Sequence, residues 1–345
     1  MTVEVSSDVP SPMTTAPARE QAAWIEQVGA HWRAWLPYVL AVAIYGVAVW
    51  ISPSYADMRQ LGTLLVLASM LGIVAIGQTL VMLIGGIDLS VSAVITFVNL
   101  VVAATVAGND GRIWLAVLLA LLIGLAIGLV NGVLIHVLRL PDIIMTLASF
   151  TILTGVALLY SGGSPKGSGS PLLGRAANGR LWDFLPYSMI LWIVLSAVVI
   201  FILRRTAPGR RVYAVGLNRT ASRYAGVRVG WTVIGLYVAS GVCAAVVGVL
   251  ITGYTGSSFF GSGDRYQLSS VAAVVVGGTS IYGGRGGYGG TIAGALILVF
   301  SESILRIIDI ADAGRRIAYG VMILLLLISY GRTGSLRRGV GRSSA

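Results

Sequence analysis

The sequence predicts an all-α polytopic membrane protein of about ten transmembrane helices, and three observations predict it. Apolar runs of bilayer length recur along the chain from residue 36 onward. Charged residues are scarce, 11% beside 56% hydrophobic, where a soluble domain carries about 25% charge. The third is where the charge sits. The chain is formally +11, yet its arginines cluster in short segments between apolar runs and form no continuous basic face. That distribution excludes nucleic acid as a partner, since no polar domain carries a basic groove.

The elements follow in order. Residues 1–17 are polar and proline-bearing, with nothing to bury, and read as a disordered tail. Over 18–35, Ile25, Val28, Trp32 and Trp35 recur at helical spacing, which suits a helix lying on the membrane surface. Residues 1–35 are therefore expected as a cytoplasmic N-terminal segment. The first apolar run starts too late for a cleavable signal. The transmembrane domain is expected over 36–331. Its apolar runs fall at 36–52, 61–83, 90–107, 113–136, 143–160, 186–203, 232–252, 268–282, 289–305 and 316–330. A basic cytoplasmic tail, 332–345, closes the chain.

Arginine placement orients the spans. The loop 204–231 carries Arg204, Arg205, Arg210, Arg211, Arg219, Arg223 and Arg228 with no acid, and the C-terminal tail is likewise free of acids. Segments assigned outside mix signs, as in Asp57 with Arg59 or Asp110 with Arg112. Ten alternating spans put both termini in the cytoplasm. Five spans lie on each side of the outer loop 161–185, the arrangement that two inverted halves would produce.

Residues 274–294 read VVVGGTSIYGGRGGYGGTIAG, with nine glycines. Gly284 to Gly289 formally match a G-x-G-x-x-G phosphate loop. That fingerprint needs a water-soluble βαβ unit around it, and here the loop joins two apolar runs. A lysine-bearing P-loop fails too, because the sole lysine, Lys166, lies in SGGSPKG on the outer side. No nucleotide site and no other cofactor is expected on this chain. Gly286, Gly290 and Gly294 instead suit a tight turn and close helix contact, and Gly124, Gly128 and Gly132 form a second packing stripe.

Two carboxylates stand inside apolar runs. In GGIDLS (85–90) the paired glycines suggest a helix break, with Asp88 either capping the next helix or lining a solute path and its gate. Glu302 lines the path or pairs with a neighbour such as Arg306. One cysteine, Cys243, and two distant histidines, His31 and His136, supply no metal cluster, no disulfide framework and no catalytic constellation. An ion-coupled secondary transporter would want more ionisable groups in the membrane. A membrane enzyme would want them clustered at one depth.

The most informative stretch is RRTAPGRRVYAVGLNRTASRYAGVRV (204–229). Asn218 can cap a short helix and Gly226 can end it. Ala221, Tyr224 and Ala225 then share one face, while Arg219 and Arg223 share another and Ser222 lies between. A helix this short must dock on something to persist. Either it rests on its own membrane surface or it plugs into a cytoplasmic partner.

Taken together, GGIDLSVSA (85–93), NGVLIHVLRLPDIIMTLASF (131–150), RRVYAVGLNRTASRYAGV (210–227) and AAVVVGGTSIYGGRGGYGGTIAGALIL (272–298) resemble the permease subunit of ribose/xylose-type ABC importers, related to branched-chain amino-acid permeases. The resemblance covers nearly the whole chain beyond its N-terminal tail. It implies two permease copies, identical or paralogous, two cytoplasmic ABC ATPase subunits and an extracytoplasmic solute-binding protein, all at the cell membrane and in contact with its lipid. It also implies that Asn218 to Gly226 form the coupling helix that seats in the ATPase. The chain departs from the family at Ser92 and Ala148, where glycine is usual. A monosaccharide is the implied cargo, and branched-chain amino acids or another small polar solute are the alternative.

Overall fold

The computed structural model describes residues 35–182, 184–311, 313, 314, 317, 320 and 321. The surface helix expected at 18–35 (save Trp35), most of the last apolar run at 316–330 and the C-terminal tail lie outside the described residues. In chain order the helices are α1 (Trp35–Ile51), α2 (Met58–Leu83), α3 (Val91–Val106), α4 (Ile113–Val137), α5 (Asp142–Ser161) and α6 (Pro171–Asn178). After them come α7 (Tyr187–Arg205), α8 (Ala207–Leu217), α9 (Arg219–Tyr224), α10 (Val229–Thr255), α11 (Asp264–Val276) and α12 (Tyr288–Ile307). A two-stranded antiparallel ribbon, β1 (Arg180–Leu181) and β2 (Leu185–Pro186), interrupts the outer loop. Six of the helices are long and apolar enough to cross a membrane: α2, α4 with its preceding turn, α5, α7, α10 and α12. The protein is thus all-α and polytopic, apart from that ribbon.

One expected span is shorter than its apolar run. The stretch 268–282 is helical only as far as Val276, and α11 has 13 residues, about 20 Å, too short to cross alone. It ends where Gly277 and Gly278 follow, with Gly278 in the left-handed region at φ +85°.

Packing is concentric. Within α2's most apolar 18-residue window, 94% of residues are buried by protein, against 22% for α5 and α7. Met70, Ile73, Val74 and Met82 of α2 are enclosed together with Val94, Ile95 and Val98 of α3 and Ala244 and Val247 of α10. α4, α5 and α7 instead turn Leu118, Leu122, Ile144, Ile152, Val194 and Phe201 outward, the face that hydrocarbon covers.

Close approach between helices uses small residues, because burial against lipid adds little and dispersion must carry the association. A Cβ added at Gly124, Gly128 or Gly132 of α4 would stand 2.7 Å from an atom of α10, respectively Ala245 Cβ, Val238 Cα and Ile234 Cα. Ordinary carbon contact is about 3.5–4.0 Å. On α12, Gly290 and Gly294 lie against the carbonyls of Gly277 and Ala273 at the end of α11. Gly286 differs from the expected helix-contact spacing. It sits in the turn ahead of α12 at φ +112°, a backbone shape that a side chain would strain.

In the core, Trp192 of α7 donates its indole N–H to Tyr288 Oη at 2.6 Å, and that hydroxyl donates to the Gly72 carbonyl at 2.8 Å. Gly72 leaves the space that the indole fills. α2, α7 and α12 are joined there by a satisfied polar contact inside an apolar core.

Candidate functional site: a buried polar chain and an arginine-rich arm

The loops gather at two ends of the bundle. At one end lie the α2–α3 break, the α4–α5 turn, the arm α8–α9 and the glycine-rich loop before α12. The arm's end packs on the break at Gly216, where an added Cβ would overlap the Leu83 carbonyl and stand 2.6 Å from Gly284 N, while the Gly284 N–H donates to Leu83 O at 2.9 Å. Tyr213 Oη of α8 donates to the Gly286 carbonyl at 3.0 Å. Three of the loop's donors are taken up by the chain itself: Gly283 N–H by Ser280 O, Gly284 N–H by Leu83 O and Gly287 N–H by Thr279 Oγ1. None of these three is aimed at a phosphate.

α9 is a six-residue helix bounded by two local devices. Asn218 Oδ1 accepts from Ala221 N–H at 2.9 Å. At the other end Gly226 takes φ +79°, with its N–H on Arg223 O and Val227 N–H on Ser222 O. This is the paired-bond pattern that ends helices at glycine. Ser222 is buried against the body, while Ala221, Ala225 and Gly226 are exposed and Tyr224 is 89% exposed. Arg219 points the other way. Its Nη2 donates to the Ile84 carbonyl at 3.2 Å and lies 3.9 Å from Asp142 Oδ2 at the head of α5.

Ile84 is the C-cap residue that follows α2, where the same terminator recurs: Gly85 N–H on Met82 O and Gly86 N–H on Val81 O. Gly86 has no room for a Cβ, which would stand 2.7 Å from Tyr237 Oη and 3.1 Å from Asp142 Oδ2.

Asp88 follows, 1% exposed. Its Oδ1 accepts from Ser90 N–H at 3.0 Å and Ser90 Oγ at 2.6 Å, and its Oδ2 accepts from Ser240 Oγ of α10 at 2.7 Å. The N-cap of α3 is Ser90, so Asp88 acts on the cap residue and is not itself the cap. The chain of bonds continues: Asn131 Nδ2 of α4 donates to Ser90 Oγ at 2.9 Å, and Ser149 Oγ of α5 donates to Asn131 Oδ1. One carboxylate thus joins the break to α3, α4, α5 and α10. Sequence reasoning singled out Asp88 but not Ser90, Asn131, Ser149, Ser240 or Asp142.

Glu302 lies at the opposite end of the bundle. It pairs with Arg306 at 2.6 Å, one turn on, and with Arg265 of α11 at 2.8 Å. A further polar cluster there holds the loop after α10: Asn99 Nδ2 donates to Thr252 Oγ1 at 2.9 Å, and Asn99 Oδ1 accepts from Phe259 N–H at 3.2 Å.

A model of the family described as "Branched-chain amino acid transport system / permease component" matches residues 60–329. The chain is 31% identical to the ribose import permease protein of Haemophilus influenzae, over 86% of this chain and 92% of the relative. It is 33% identical to the ribose import permease protein of Bacillus subtilis, over 81% and 86%. The fructose import permease protein of Rhizobium meliloti is 30% identical, over 83% and 82%. No solved structure matches.

Proposed function

This chain belongs to the branched-chain amino acid transport system permease family of ABC importers, and we propose that it forms the path for a monosaccharide. ATP hydrolysis in such importers belongs to a separate subunit. A sugar is favoured over an amino acid because relatives matched along most of the chain include ribose and fructose import permeases.

The observation that carries the mechanism is α9. It is too short to persist unaided, it is capped at both ends, and it presents Tyr224, Ala221 and Ala225 outward while Arg219 reaches back into the body. Such a segment suits a plug in a cytoplasmic ATPase. The arginine-rich end then faces the cytoplasm, with both termini on that side. Movement of α9 reaches the α2–α3 break through Arg219, and Asp88 passes it to four further helices. Alternating access follows as a rigid shift of packed elements.

Ten spans in two inverted halves accommodate this architecture. The second helix of each half is long and central, 26 residues in α2 and 27 in α10, and the third is short, 16 in α3 and 13 in α11. Packed side chains of α2, α3 and α10 fill the middle of the protomer, which supports a path between two copies. A solute-binding protein delivers sugar at the outer mouth.

The test is uptake into proteoliposomes holding this permease, its ATPase and its binding protein, against a panel of pentoses, hexoses and branched-chain amino acids. ATP-dependent uptake of one sugar is expected. Uptake of leucine but no sugar, or uptake by the permease alone on a proton or sodium gradient, overturns the reading.

A further inference from the structure

Between α8 and the start of α10 lies a cavity of about 560 Å³. Its rim carries Arg211 of α8 and Arg228, the residue before α10, and none of the described residues lining it is acidic. Neither arginine makes an ion pair among the described residues. Its inner wall is one face of α10: Trp231, Thr232, Gly235 and Leu236. From Arg228 to Leu236 the wall descends about 12 Å at 1.5 Å per residue. The cavity therefore runs from the charged surface into an apolar span of 27 residues.

Two cations above an apolar shaft call for an amphiphile with an anionic head. Trp231 is 73% exposed at the rim, the depth at which tryptophan settles among headgroups. Gly235 leaves the shaft open, since a Cβ there would meet nothing within 4 Å. We propose that this cavity binds an anionic phospholipid, its phosphate between Arg211 and Arg228 and an acyl chain along Trp231, Gly235 and Leu236. A water-soluble partner docked on α9 would reach the rim but not the shaft. The proposal rests on the chain being a membrane protein and is independent of the solute carried.

The test is native mass spectrometry of the full-length permease with its ATPase, titrated with phosphatidylglycerol or phosphatidylcholine. Phosphatidylglycerol should be retained in preference. At about 1 kcal/mol per cation near the surface, Arg211→Gln with Arg228→Gln should weaken that binding about 30-fold. Gly235→Phe, which fills the shaft without touching charge, should also expel the lipid and so guards against misfolding of the arginine variant. Equal retention of both lipids, or unchanged phosphatidylglycerol binding in either variant, overturns the proposal. So does displacement by millimolar inorganic phosphate, which would mark a free-anion site. Loss of the ATPase with lipid retained would assign the cavity to that partner.

Discussion

Removing the Ser240 hydroxyl tests whether Asp88 works as a charged clasp. Three donors converge on its two carboxylate oxygens at 2.6, 2.7 and 3.0 Å, the arrangement an ionised acceptor wants. Burial at membrane depth works against that charge. A hydrogen bond to a charged group contributes about 1.5–3 kcal/mol, whereas neutral interhelical bonds in membranes average about 0.6. The clasp reading therefore predicts a coupling energy between Asp88 and Ser240 of about 1.5 kcal/mol or more. The measurement is a double-mutant cycle of Asp88→Asn and Ser240→Ala. Unfolding in mixed micelles of rising SDS fraction would be followed by tryptophan fluorescence, with buried Trp192 as a reporter. Ser90→Ala should cost more than Ser240→Ala, because it also strips Asn131 Nδ2 of its acceptor. A coupling near 0.6 kcal/mol would refute the charged clasp and leave an ordinary polar contact.

Tyr224→Asp should abolish ATPase recovery in a pull-down while leaving membrane insertion unchanged, since the ring is exposed in this chain; unimpaired recovery removes α9 from the docking site. Gly128→Leu should cost about 1–3 kcal/mol or block assembly, because even a Cβ there stands 2.7 Å from Val238 Cα; an unchanged melting temperature in detergent would contradict the α4–α10 packing.

Membrane helices are legible when their apolar runs match the bilayer, and α2, α4, α5 and α7 agree with their runs to within a few residues. α11 shows where hydropathy misleads. The run continues past Val276 through Ile281, but Gly277 and Gly278 stop the helix, and an average over apolar residues does not register that. The site was legible where local chemistry is strong: Asn218 and Gly226 bracket α9, and the glycines ahead of Asp88 mark the break. Ser240 lies 152 residues from Asp88 and left no trace. Serine in a helix ordinarily bonds its own turn, as Ser196 does with Trp192 O, so a hydroxyl with a distant partner looks like any other. Glu302 divides the same way. Arg306 is readable at four residues, and Arg265, 37 residues away, is not.

Two side-chain hydrogen bonds lead from the arm into the membrane, and their chemistry ranks them. Tyr213 reaches the Gly286 carbonyl and thence α12 through one neutral hydrogen bond with an exposed flank, worth about 1 kcal/mol. Arg219 reaches the Ile84 carbonyl with a charged donor and has Asp142 beside it, and Ile84 caps α2, whose apolar window is the most buried among the six long helices. Irregular backbone at membrane depth persists only where protein encloses it, and the break after Ile84 is bonded on every side: Thr146 Oγ1 donates to Ile87 O, Gln267 Nε2 to Leu89 O, and Asp88 links it to α3, α4, α5 and α10. A displacement of α9 applied through Arg219 acts there directly, whereas one applied through Tyr213 acts on the turn ahead of α12 and reaches the break only through the Gly284 bond to Leu83. Arg219→Gln should therefore lower sugar moved per ATP hydrolysed several-fold while the ATPase still co-purifies, and Tyr213→Phe should leave that ratio within about twofold. The reverse ranking, measured in the same proteoliposomes, would move the path of force to the glycine loop.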